Sequence, residues 1–86
     1  MMFKGNLSIM NNFNVETGKR IKYQRLKQGM TRDALAHKAG ISGKFLYEIE
    51  IGKKGMSAET LYEVAKVLDV STDWVLSGKI SEDEFE

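Results

Sequence analysis

With 86 residues, 42% of them hydrophobic, the chain has material for one domain with a modest core and too little for two. It lacks cysteine, which excludes a disulfide framework or a thiolate metal site, and its single histidine, His37, stands beside no cluster of carboxylates, so no metal or cofactor is expected. The net charge of +1 conceals a division: Met1 to Met56 carries 11 Lys and Arg against 4 Asp and Glu, while Ser57 to Glu86 carries 2 against 8, which puts a surface able to attract phosphate in the first part.

Residues 1–14, MMFKGNLSIMNNFN, are rich in Asn and Met and show no period, which reads as a flexible arm. They contain no long apolar run, so neither a signal peptide nor a membrane span is expected, and a cytoplasmic protein is the natural reading. From Val15 the pattern turns helical. VETGKRIKYQRLKQG offers Ile21 and Leu26 to a core and ends at Gly29, a residue suited to the left-handed conformation that closes helices. Thr31 can cap a second helix, TRDALAHKA, with Leu35, Ala36 and Ala39 on one face and Gly40 as its stop. Ser42 can cap a third, SGKFLYEIE, with Leu46 and Ile49 turned inward and Gly52 as terminator. Ser57 can cap a fourth, in which Leu61, Val64, Ala65 and Leu68 form an apolar stripe, and Ser71 a fifth, STDWVLSG, closing at Gly78. Residues 79–86 form an acidic tail, with Ile80 and Phe85 as its apolar members. No proline occurs and no alternating stretch argues for a strand, so the fold class is all-α, five helices in one domain over residues 15–78.

The second and third helices are joined by a very short turn and must therefore cross steeply. Such a crossing requires a small residue where the backbones approach, which Ala36 supplies, and a positive φ in the turn, which Gly40 permits. Ile41 plugs the corner, and the side of the third helix left free holds Gly43, Lys44, Tyr47 and Glu48. Its N-terminus carries partial positive charge and unpaired N–H groups, favourable toward phosphate. His37 reads as a solvent-facing helix residue.

TRDALAHKAGISGKFLYEIEIG, preceded by GKRIKYQR and followed by LDVSTDWVLSG, resembles the Cro-type, lambda-repressor-like (XRE) helix-turn-helix family over roughly Val15 to Gly78. The resemblance implies a sequence-specific DNA-binding transcriptional regulator, commonly a repressor, that acts as a homodimer on a palindromic operator with its third helix in the major groove. It implies base-reading positions at Gly43, Lys44 and Glu48, the lysine suiting guanine O6 and N7 and the carboxylate suiting the cytosine amino group, with Phe45 or Tyr47 placed to meet a thymine methyl. Phe45 and Tyr47 suit core or interface packing equally. Phosphate contacts are implied for Arg32, Ser42, Lys53, Lys54 and Lys19, and an internal salt bridge for Arg25 with Glu50. Trp74, Val75 and Leu76 fill the core or face a partner subunit. An antitoxin that binds both DNA and a toxin is the alternative reading. An enzyme is not expected: no nucleophile stands with a base, and Glu82, Asp83, Glu84 and Glu86 fall in the tail.

Overall fold

The computed structural model describes residues 2–79, with side chains from Asn12 onward. Five helices follow one another among these residues, α1 (Met2–Lys27), α2 (Arg32–Ala39), α3 (Gly43–Glu50), α4 (Ala58–Leu68) and α5 (Thr72–Ser77). None of them is long and apolar enough to cross a membrane. Four begin as the capping residues predict: Thr31, Ser42, Ser57 and Ser71 hold extended backbone, and each side-chain oxygen accepts from the N–H three residues on. The first helix differs from the expected start near Val15. It runs from Met2, because no proline interrupts the segment and one glycine, Gly5, costs a helix only about 1 kcal/mol. The acidic tail, with Ile80 and Phe85, lies outside the described residues except for Lys79.

Three connections share one form. A left-handed residue closes the helix, directly after it at Gly40 and Asp69 and one residue further on at Gly29, and the next is apolar (Met30, Ile41, Val70). The N–H of that apolar residue reaches back to a carbonyl in the last turn, Met30 to Arg25, Ile41 to Ala36 and Val70 to Ala65, at 3.0 Å each. The apolar side chain lies against the core, and the capping Thr or Ser that follows starts the next helix.

That core is assembled from every helix: Ile21 of α1, Leu35, Ala36 and Ala39 of α2, Leu46 and Ile49 of α3, Val64, Ala65 and Leu68 of α4, and Val75 of α5. On α1 the buried line is Thr17, Ile21 and Arg25, spaced by four residues, so the expectation that Leu26 joins the core is corrected: it points away and is 57% exposed. Gly18 sits where α1 meets the end of α3. A Cβ there would collide with the Ile49 carbonyl oxygen and stand 2.7 Å from that of Glu50, so this approach is open to glycine alone.

Candidate nucleic-acid interface

The helix that could enter a groove is fixed in place before it can read anything. Leu46 and Ile49 anchor one side of α3 in the core, Ala36 being buried beneath the crossing with α2. At its C-terminal end Glu50 is held by two arginines. Arg25 donates to it twice, Nε to Oε2 at 2.7 Å and Nη2 to Oε1 at 3.0 Å, and ties off the end of α1 by donating Nη1 to the Met30 carbonyl at 2.9 Å. Both Arg25 and Glu50 are buried, so this is a structural clamp that locks α1, α3 and the α1–α2 turn together. Arg32 donates Nε to Glu50 Oε1 at 3.2 Å from a half-buried position, and its guanidinium lies 5.2 Å from the Tyr47 ring centre. The Arg32 side chain is 35% exposed, against 6% for that of Arg25.

Against this frame, Lys44 and Tyr47 project outward, Tyr47 being 46% exposed and Lys44 engaged by none of the described ion pairs. Gly43 opens the first turn of α3, and Ser42 caps it, its Oγ accepting from the Phe45 N–H at 3.0 Å. Phe45 itself is half-buried against the core, so of the two aromatics Tyr47 has the exposed face.

Glu48 is placed otherwise than the sequence suggests. Its side chain is only 9% exposed, and its carboxylate lies 3.3 Å from the Lys54 ammonium and 3.8 Å from that of Lys53. Its carbonyl accepts the Lys53 and Lys54 N–H groups at 2.9 and 3.2 Å. A carboxylate so covered, and so satisfied by its own loop, does not suit the reading of a base edge. It anchors the turn after α3 and holds the two lysines beside the helix. Lys19, by contrast, is an exposed α1 residue 3.6 Å from Glu16, a pairing of little energetic weight.

Trp74, Val75 and Leu76 do not share a face. Val75 is fully buried in the core and is not available to a partner, which corrects its expected place in an interface. Trp74 turns toward Tyr23, Gln24 and Lys27 across an open groove. Leu76, 36% exposed, lies on another side with Phe13, 51% exposed, along a small cleft floored by Thr17, Met56 and Leu61. Sequence reasoning also passed over Arg20, whose Nε and Nη2 donate to the Val75 and Leu76 carbonyls at 2.8 and 2.9 Å and satisfy the end of α5.

The family described as helix-turn-helix matches residues 21–75. Among curated proteins, the chain is 34% identical over 61 residues to the uncharacterized, SPbeta prophage-derived HTH-type transcriptional regulator YonR of Bacillus subtilis, covering 71% of this chain and 56% of YonR. The chain spans little more than half the length of such relatives. Among solved structures it is similar to the N-terminal DNA binding domain of SinR from Bacillus subtilis, with 36% identity and a TM-score of 0.70 over 76% of this chain and 96% of that one. It is likewise similar to the P22 c2 repressor in complex with a synthetic operator, with 28% identity and a TM-score of 0.71 over 73% of this chain and 96% of that one.

Proposed function

The chain belongs to the helix-turn-helix family, and from that membership we propose that it binds duplex DNA sequence-specifically and regulates transcription as a repressor. The observation that carries the reading is the exposed side of α3. Lys44 and Tyr47 stand outward on a helix clamped by Arg25 and Glu50, with Arg32 stacked beside Tyr47 and Lys53 and Lys54 held alongside by Glu48. On this reading Lys44 and Tyr47 are the residues that meet base edges in the major groove. Arg32, Lys53, Lys54, the capped N-terminus at Ser42 and, more remotely, Lys19 are assigned to phosphates. The P22 c2 repressor was captured on an operator, which supports the same partner here.

The repressor acts as a homodimer on a palindromic operator, in the cytoplasm where the DNA is, and the face that Leu76 shares with Phe13 is the contact between copies. No feature of the fold favours the toxin-binding alternative, nor does any relative named above.

Selection of bound sequences from a random duplex library, repeated over a range of salt, tests the function. A palindromic motif with half-sites about 10 bp apart, and an affinity that falls steeply with salt, is the expected result. Enrichment of no motif at moderate salt would overturn the reading.

A further inference from the structure

Gly43 presents no side chain at a position where the third helix would touch a base, yet the space beside it is not empty. Asp33, an exposed residue in the first turn of α2, leans across the α2–α3 turn. Its Oδ1 stands 2.7 Å and its Cγ 3.9 Å from where a Cβ on Gly43 would be. A carboxylate therefore occupies the volume that a side chain at 43 would fill. It does so where the first turn of α2 meets the first turn of α3. None of the described ion pairs engages it, so its oxygens are available as acceptors.

We propose that Asp33 supplies the base-reading group that Gly43 lacks, its carboxylate selecting a cytosine through the exocyclic amino donor in the major groove. The proposal rests on the reading of the protein as a sequence-specific DNA binder. It gives the glycine a purpose: any larger residue at 43 displaces the carboxylate. It also assigns base specificity to α2, which otherwise supports α3 and offers Arg32 to a phosphate. Asp33 as merely a charge at the positive end of α2 predicts something different, a small loss of stability with an unchanged motif.

The experiment is the same library selection, run on the wild-type chain and on Asp33→Ala, Asp33→Asn and Gly43→Ala, each checked for folding by circular dichroism and thermal melting. The wild-type motif is expected to contain a cytosine in each half-site that Asp33→Ala no longer prefers, with discrimination there falling roughly tenfold while the other positions persist. Asp33→Asn is expected to move that position toward adenine, whose N6 and N7 suit a carboxamide. Gly43→Ala, whose Cβ collides only with the tip of the Asp33 side chain, is expected to blur the same position and no other. A wild-type motif retained in full by folded Asp33→Ala overturns the assignment while leaving sequence-specific binding intact. Absence of any wild-type motif overturns both.

Discussion

At the scale of single residues, the same end of α3 is governed by one glycine and one carboxylate. An alanine in place of a helical glycine normally stabilises by up to about 1 kcal/mol, so propensity alone favours Gly18→Ala. Here the added Cβ meets backbone carbonyls of Ile49 and Glu50, which cannot rotate aside, and α1 must back away from α3. We expect overpacking to win, with a net loss of about 1–3 kcal/mol in urea unfolding. Glu50 gives the complementary case. Glu50→Gln leaves the buried Arg25 guanidinium without its counter-charge and is expected to cost about 3 kcal/mol or more. Arg32→Ala removes the outer, 35% exposed partner of the same carboxylate and should cost under about 1 kcal/mol. Equal destabilisation by the two, read in the same unfolding series, would show that the clamp does not divide as its burial implies.

At the scale of the elements, the repeated connection explains why so much of the architecture could be read from the chain. A left-handed residue, an apolar residue and a hydroxyl cap leave a local signature, as in Gly29-Met30-Thr31 and Gly40-Ile41-Ser42, and the starts of α2 to α5 fall where those caps predict. The third instance, Asp69-Val70-Ser71, puts an aspartate in the glycine slot, at φ 57°. Two effects there have the same sign: left-handed backbone is costly for a residue with a Cβ, and a negative charge at a helix C-terminus opposes the dipole. Asp69→Gly is therefore expected to stabilise by about 0.5–1 kcal/mol, with Asp69→Asn recovering part of it, as chemical denaturation would show. A loss of stability on Asp69→Gly would mean that the carboxylate makes a compensating contact. What was not legible shares a different origin. The inward turn of Glu48, the bonds from Arg20 to the end of α5, the collision that reserves Gly18 and the lean of Asp33 over Gly43 depend on residues separated in sequence or on which way a side chain turns. Period and capping carry no information about either. The faces of α1 and α5 failed for a related reason: Leu26 and Val75 are both apolar, and only the crossing of helices decides that Val75 is inside and Leu26 outside.

At the scale of the molecule, the basic and acidic parts of the chain give it a direction. The residues up to Met56 hold a charge of +7 (11 minus 4) and those from Ser57 hold −6 (2 minus 8), and α3 belongs to the first set while α5 belongs to the second. Within the first set the excess lies in α1, with six Lys and Arg against one Glu, and in Lys53 and Lys54 after α3, and on the reading proposed above it is this part of the chain that attracts a duplex. If copies join through Leu76 and Phe13, their two α3 helices are tied together, and the second half-site is bound at an effective concentration set by the first. Leu76→Arg places a charge on that patch and, with the wild-type side chain already 36% exposed, leaves the core intact. The added positive charge by itself would raise non-specific affinity, so any fall in operator binding is the mark of a lost dimer contact. We expect the variant to sediment as a monomer, to bind an isolated half-site as the wild type does, and to bind the palindrome about 100-fold more weakly. Should Leu76→Arg remain dimeric in sedimentation equilibrium, or the wild type occupy a full palindrome without cooperativity, the contact between copies lies elsewhere on the surface.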